Sequence, residues 1–345
     1  MKKFLAIILA IVTCFALTAC KGKISEPNSG SSSTESGSSS VEKTQTTYKI
    51  GVVDGAPSLS VVNIANGFEY ETADTKYTAN IEVLQSGDSA PATIITGMNK
   101  TDGFDMAIAP LNVAYKLHNS NAKFKLASVN VFGVLYMIGK TTINEDMNNL
   151  KGKIVCLTSG GGTPEILFKH LLTKNQIGFE ESDTVTDANK VYIRYVGAQQ
   201  IIAGLKQGTV EYGVLGEPAV TKANAATGST VVLDLQKEWK KFYGDGQFVQ
   251  AGLIVNSEKV NVDFVNALVE KLKQNKQYLY DNADGIGNTL VSVYSETVMK
   301  GVKFNADVLD RCNIGCETAS SQKAAISAFL TAHGLTAPGD DFYFI

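Results

Sequence analysis

Residues 153–172 read KIVCLTSGGGTPEILFKHLL and carry the clearest structural signal in the chain. The β-branched run Lys153–Thr158 ends in small, flexible residues, as a strand does before a turn. Thr163-Pro164-Glu165 then supplies a helix start, with a capping threonine, a proline at the first helical position and an acid in the first turn. The stretch therefore predicts a strand, a glycine-rich turn and a helix, which is the repeating unit of parallel α/β sheets.

The same unit recurs along the chain. Short strands that end in turn signals are predicted at Tyr48–Val53, Asn80–Ser86, Phe104–Ala109, Lys153–Thr158, Val191–Val196 and Glu211–Leu215. Gly208 and Gly228 stand where two of the intervening helices are expected to end. The pattern gives two similar blocks, residues 48–121 and 151–228, and the segments Phe124–Lys140 and Thr230–Asn256 connect them.

We therefore predict an α/β fold with two lobes, in which two parallel-type sheets with flanking helices are joined by two crossover segments and enclose a cleft. Lobe 1 is assigned to 48–138 and 235–345, and lobe 2 to 139–234. The C-terminal part is mainly helical, including a predicted helix over Val262–Asn282, and is expected to complete lobe 1.

The N-terminus has the pattern of a secretory leader. Lys2 and Lys3 precede the apolar run Phe4–Leu17, which is too short for a comfortable membrane span. The run ends in Leu17-Thr18-Ala19-Cys20, which resembles the lipobox of bacterial lipoproteins.

That resemblance implies that a signal peptide, residues 1–19, is removed and that Cys20 carries acyl chains such as palmitate. The serine-rich segment 20–47 is then a disordered linker, which would tether the folded body to the extracytoplasmic face of the cell membrane. The alternative is an ordinary secretory signal that happens to end in cysteine.

Composition excludes several functions. The net charge is −3, and no basic cluster supports nucleic-acid binding. The 3 histidines are scattered, and no CxxC or HExxH motif is present, so we predict no metal site and no cofactor. After loss of the leader, Cys312 and Cys316 are spaced to form a disulfide, or they remain free buried thiols with Cys156.

Ligands of open parallel sheets bind at the carboxyl ends of the strands. The loops there supply the candidate ligand contacts Asp54, Gly55, Ser58, Asn112, Ser159, Gly160, Gly161, Gly162, Thr163 and Glu217. The glycine run fits neither GxxxxGK[ST] nor GxGxxG, so it is either a ligand-contacting loop or an ordinary turn. Asp54 is either a ligand contact or a turn-forming aspartate, and Glu217 is either a contact or a helix cap.

No GxSxG motif is present, and the histidines lie away from these loops, so we predict no catalytic residues and no enzyme activity. Three acids, Asp54, Asp88 and Glu217, but no Arg or Lys lie in the loops, which favours a ligand with amine or ring N–H donors. The aromatic residues Phe132, Tyr136 and Trp239 in the crossover segments either stack on such a ligand or pack in the core.

Several segments resemble the substrate-binding lipoproteins of bacterial ABC importers, in the branch that binds nitrate, sulfonates, taurine and thiamine-pyrimidine precursors. The matching segments, in order, are Val53-Asp54-Gly55-Ala56-Pro57, Asp105–Pro110, Leu150–Lys153 leading into Gly160–Pro164, and Gly204–Gly208 leading into Gly216-Glu217-Pro218. The resemblance implies the type II periplasmic binding protein fold, with a cleft lined by Asp54, Ser58, Ser86, Asn112, Gly161, Thr163 and Glu217.

The resemblance also implies an extracytoplasmic monomer that captures a small organic solute and delivers it to an ABC permease with its ATPase. Two alternatives remain open, namely an enzyme of a cofactor-biosynthesis pathway on the same fold and a surface sensor or adhesin that works without a transporter.

Overall fold

Two β-sheets form the framework of the chain. The computed structural model describes residues 43–85, 89–158, 160–244, 246–294 and 299–345. Within that part of the chain the strands are β1 (Thr44–Val53), β2 (Phe68–Glu71), β3 (Thr75–Leu84), β4 (Met106–Pro110), β5 (Phe124–Phe132), β6 (Leu135–Gly139), β7 (Ile154–Leu157), β8 (Gly178–Glu181), β9 (Lys190–Tyr195), β10 (Tyr212–Gly216), β11 (Thr230–Asp234), β12 (Val249–Asn256) and β13 (Ile314–Thr318).

Helices flank both sheets. They are α1 (Ala56–Leu59), α2 (Ala90–Asn99), α3 (Leu111–Ser120), α4 (Thr163–Lys174), α5 (Ala198–Gln207), α6 (Ala219–Thr227), α7 (Leu235–Tyr243), α8 (Val262–Lys273), α9 (Asn275–Asp281), α10 (Ile286–Val293), α11 (Ala306–Cys312) and α12 (Lys323–Ala332). No helix among the described residues combines the length and the hydrophobicity needed to cross a lipid bilayer.

The strand order confirms the predicted α/β fold class. The seven-stranded sheet runs β13-β5-β12-β4-β1-β3-β2, and the six-stranded sheet runs β11-β6-β10-β7-β9-β8. β1 pairs in parallel with β3 and β4, and β7 pairs in parallel with β9 and β10. These are the six strands that the sequence predicts. We call the first sheet with its helices lobe 1, and the second sheet with α4 to α7 lobe 2.

The first crossing between the lobes lies at Gly133. β5 belongs to lobe 1, but β6 pairs with β10 and β11 in lobe 2. Since β6 begins at Leu135, the predicted start of lobe 2 at residue 139 is four residues too late. A side chain at Gly133 would place its Cβ 2.3 Å from Cγ of Gln236. The amide of Gln236 is fixed there because it bonds both the N–H and the carbonyl of Leu135, at 2.9 Å each.

The return crossing follows α7. This helix packs against α4 and β6, so lobe 2 extends to Tyr243 rather than ending at residue 234. Asp234 caps the helix, since its Oδ1 accepts the backbone N–H groups of Gln236 and Lys237 at 2.8 and 3.1 Å. The predicted boundary at 235 therefore marks a helix start within lobe 2.

A ladder of aromatic rings lines this second crossing. Trp239 on α7 is fully buried and stacks on Tyr243, with ring centroids 3.9 Å apart. The rings of Trp239 and Phe248 make an edge contact with centroids 5.1 Å apart, and the centroids of Phe248 and Phe329 of α12 are 5.4 Å apart. The ladder connects lobe 2 to lobe 1. Trp239 is buried in the core, as are Tyr136 and Phe132, the other two aromatic residues that the sequence singles out in the crossover segments.

Three local predictions need correction or completion. The N-cap of α4 is Gly162, with Thr163 as the first helical residue, because the extended backbone of Gly162 ends the turn one residue earlier. The predicted helix over Val262–Asn282 is two helices that meet at Gln274. The C-terminal residues contribute β13 to the edge of lobe 1, and Cys156, Cys312 and Cys316 are free, buried thiols.

Candidate functional site

A cleft of about 760 Å³ is lined by residues of both lobes. Lobe 1 contributes Pro91, Ile95, Pro110, Asn112, Val113 and Lys116, and lobe 2 contributes Thr158, Gly160, Gly161, Gly162, Thr163, Tyr195, Val196, Gly197 and Gln200. Of the predicted contacts, the structure therefore brings Asn112 and the residues from Gly160 to Thr163 together. Ser86, Ser159 and Cys20 lie outside the described residues.

Three helix N-termini meet at this cleft. Pro110, Gly162 and Gly197 are the N-cap residues of α3, α4 and α5, and all three line it. Each helix end carries a partial positive charge from the aligned peptide dipoles. The arrangement favours a negatively charged group in the cleft.

The glycine loop takes a backbone conformation that requires glycine. Gly161 has φ of +77°, and it is exposed at the cleft. Its N–H donates to the carboxylate of Glu165 in the first turn of α4. The loop therefore has a defined shape before any ligand binds.

Glu165 is neutralised by its neighbours. Lys169 forms an ion pair with it, and the hydroxyl of Tyr195 donates to its Oε1 at 2.6 Å. Burial acts to raise the pKa of Glu165, but the hydrogen bonds from Lys169, Tyr195 and Gly161 outweigh burial and hold that pKa below its ordinary value. The carboxylate stays ionised and is committed to shaping the loop.

The lobe 1 face of the cleft is built from one helix. Asn112 and Lys116 are four residues apart on α3 and so lie on the same side of it. Oδ1 of Asn112 is buried and has no hydrogen-bond partner among the described residues. Lys116 is exposed, and it is the single charged side chain among the described residues that line the cleft.

Asp54, Gly55 and Ser58 do not line this cleft. Oδ1 of Asp54 accepts the N–H of Gly55 at 2.8 Å and lies 3.2 Å from Oγ of Ser58. Asp54 is 5% exposed and Ser58 is fully buried. These contacts are those of a turn-forming aspartate.

Glu217 is also engaged elsewhere. Its side chain is fully buried, and its Oε1 lies 2.6 Å from Nε of Arg311, which α11 of lobe 1 provides. A second cation, Lys222 on α6, interacts with Asp54: burial lowers the pKa of Lys222, and the charge of Asp54 opposes that shift. Both described acids therefore have basic neighbours from other elements, so they no longer support the expectation of an amine-bearing ligand.

Sequence reasoning missed Lys116, Tyr195 and Gln200. Lys116 is one helical turn beyond Asn112, so its place beside the cleft could have been predicted from Asn112 by the four-residue spacing of a helix face. Tyr195 is the last residue of β9, and Gln200 accepts the N–H of Gly197 at 2.9 Å as part of the capping of α5. A glutamine at the third helical position, from which it can cap its helix, is also visible in a sequence.

The comparisons with known proteins concern the fold. No protein-family model and no curated protein matches this chain. Among solved structures, an ABC transporter protein from Parabacteroides distasonis is 21% identical with a TM-score of 0.65, over 87% of this chain and 99% of that one. The periplasmic aliphatic sulphonate binding protein of Escherichia coli is 11% identical with a TM-score of 0.58, over 87% of this chain and 92% of that one.

A third structure, the periplasmic nitrate-binding protein of Synechocystis PCC 6803, is 16% identical with a TM-score of 0.54, over 86% of this chain and 84% of that one. These are proteins of the group to which the sequence resemblance points. All three likenesses extend over nearly the whole folded body, with its two sheets and their flanking helices. The chain therefore has the two-lobed α/β fold of the type II periplasmic binding proteins.

Proposed function

We propose that this protein is the solute-binding component of an ABC import system and captures a small solute in the cleft between its lobes. The observation that carries the proposal is that the cleft is formed jointly, by α3 of lobe 1 and the glycine loop of lobe 2. A ligand there contacts both lobes at once, which is how a hinged binding protein couples binding to closure. The names of the similar structures, an ABC transporter protein, a sulphonate binder and a nitrate binder, favour the same function.

The charges at the cleft favour an anionic solute. Lys116 supplies a cation, and the N-termini of α3, α4 and α5 add partial positive charge. Glu165 is compensated by Lys169, so it does not repel an anion that approaches the glycine loop. A nitrate or sulfonate group matches these donors better than an amine does.

Isothermal titration with nitrate, an alkanesulfonate, taurine and an aminopyrimidine tests this proposal. We expect saturable binding of at least one anion, and Lys116→Met should weaken that binding about tenfold, since a charge-assisted hydrogen bond contributes roughly 1.5–3 kcal/mol. Lys100→Met is the matched control, because it removes the same charge from lobe 1 away from the cleft lining. Binding of the aminopyrimidine alone would overturn the anion assignment, and turnover of a bound compound would overturn the assignment as a transport protein.

We also propose that the mature protein is anchored by lipid on Cys20 and delivers its solute to a membrane permease. The leader and the Leu17-Thr18-Ala19-Cys20 motif support this. Since bacterial lipoproteins carry more than one acyl chain, anchoring is expected to be stable.

Cys20→Ala is expected to move the protein from the membrane fraction to the soluble fraction and to leave its ligand affinity unchanged. The reason is that Cys20 and the linker precede every residue of the cleft. Fractionation of cells that express either form, followed by titration of the released protein, makes the measurement. If the variant still sediments with membranes, the lipobox assignment fails.

A further inference from the structure

A second contact between the lobes lies beside the first crossing and outside the lining of the cleft. Nε of Arg311, on α11 of lobe 1, is 2.6 Å from Oε1 of Glu217, which follows β10 of lobe 2. A terminal guanidinium nitrogen of Arg311 donates to Oγ1 of Thr221 at 3.1 Å. We name Glu217, Thr221 and Arg311 the crossing clamp.

The clamp holds Glu217 rigidly within lobe 2. The backbone N–H of Thr221 donates to Oε2 of Glu217 at 3.1 Å, and the Thr221 hydroxyl lies 2.9 Å from the same oxygen. The backbone N–H of Glu217 donates to the carbonyl of Val134, in the crossing itself, at 3.0 Å. The carboxylate therefore moves with α6 and the start of β6, and within the described part of the chain its bond to Arg311 joins it to lobe 1.

Arg311 is anchored in lobe 1 by its neighbours, and its backbone makes a further contact with lobe 2. Its neighbours Val308, Leu309 and Cys312 are buried in the core of that lobe. Its backbone carbonyl accepts the hydroxyl of Tyr136, on β6 of lobe 2, at 3.0 Å. The Asn313 carbonyl accepts the N–H of Phe132, at the end of β5, at 3.1 Å.

Rotation of one lobe against the other would therefore break a buried ion pair. Glu217 has no exposed side-chain surface, whereas the side chain of Arg311 is 30% exposed. An ion pair whose remaining hydrogen-bonding groups are satisfied resists separation, because a carboxylate left buried without its cation is strongly unfavourable. Glu217 moves with lobe 2 and Arg311 with lobe 1, so a rotation that separates the two residues stretches a 2.6 Å contact.

We propose that the crossing clamp fixes the angle between the lobes in the ligand-free protein, so that the cleft is preorganised before a solute arrives. The ligand then acts on an interlobe equilibrium that the clamp has already shifted. The clamp is separate from the solute contacts, so this inference does not depend on the identity of the solute.

Distance measurement by pulsed electron spin resonance tests the proposal on protein without ligand. Spin labels at Thr96→Cys on α2 and Lys206→Cys on α5 report the separation across the cleft, since both positions are exposed on helices that border it. In a background that carries Cys14→Ala and Cys20→Ala, the remaining thiols Cys156, Cys312 and Cys316 are buried, so labelling is selective.

We expect one narrow distance distribution in the background protein. Adding Glu217→Gln and Arg311→Gln together should shift or broaden it toward longer distances by more than about 2 Å, which exceeds local backbone adjustment and is the scale of domain rearrangements. An unchanged distribution in a folded double variant would overturn the proposal.

The control removes an ion pair that lies within lobe 2. Lys153 and Glu211 are 2.9 Å apart and each is 40% exposed, so Lys153→Gln with Glu211→Gln should leave the label distance unchanged. If the clamp double variant does not fold, Arg311→Lys decides: it keeps the charge but loses the forked geometry, and it should still lengthen the distance. The same distribution in Arg311→Lys as in the background would reject the clamp.

Discussion

Gly161→Val is expected to weaken ligand binding at least tenfold, which corresponds to about 1.4 kcal/mol. Gly161 has φ of +77°, and a β-branched residue resists that region of backbone space. An added Cβ would meet no atom within 4 Å, so the effect arises from backbone strain and not from a clash. Valine relieves the strain by moving the loop, and the loop is one wall of the cleft. Titration with the anion that binds the wild-type protein measures the loss.

Gly208→Val is the matched control for this variant. Gly208 has φ of +78° and ends α5, and a Cβ added there would likewise meet no atom within 4 Å, but Gly208 does not line the cleft. Both variants should lower the melting temperature by similar amounts, and only Gly161→Val should lose affinity. If the two variants bind equally well, the glycine loop is an ordinary turn and the ligand site lies elsewhere.

The elements that the sequence predicts well depend on neighbours along the chain. The run from Lys153 into the glycine turn and α4 needs only β-branched residues, glycines and a proline at the start of the helix, and the structure has all of these elements in place. Gly208 and Gly228 end their helices with φ of +78° and +70°, as C′ glycines do. Such signals involve residues that are close in sequence, so they can be recognised without knowledge of the tertiary structure.

The roles of the acids depend on partners that are distant in sequence. Glu217 meets Arg311 from 94 residues away, and Lys222 acts on Asp54 from the other lobe. A list of loop residues contains acids but no cations, because these cations come from helices. The charge balance around the loops therefore depends on side chains that the loop sequences do not contain.

The lobe boundaries were misplaced for a related reason. Between β5 and β6 the chain changes sheets at Phe132-Gly133-Val134, with no proline and no polar turn residue. The one signal is Gly133, which has to be glycine because Gln236 occupies the space of its side chain. That requirement comes from a residue about a hundred positions later, so the sequence around Gly133 does not reveal it.

Trp239→Ala is expected to lower the free energy of unfolding by about 3–5 kcal/mol, the usual cost of truncating a large buried aromatic residue. Trp239 is fully buried, stacks on Tyr243 at 3.9 Å and contacts Phe248 at 5.1 Å, so its removal opens a cavity in the ladder that connects the lobes. Denaturant titration followed by circular dichroism measures the change, since the variant lacks the single tryptophan that fluorescence would report.

Trp239→Phe separates the packing of the ring from the polar atom that it carries. The Trp239 indole Nε1 is buried and has no hydrogen-bond partner among the described residues, so phenylalanine loses ring area but no hydrogen bond. We therefore expect a clearly smaller loss of stability than for alanine. Equal losses in the two variants would show that the ladder at the second crossing does not depend on stacking at Trp239.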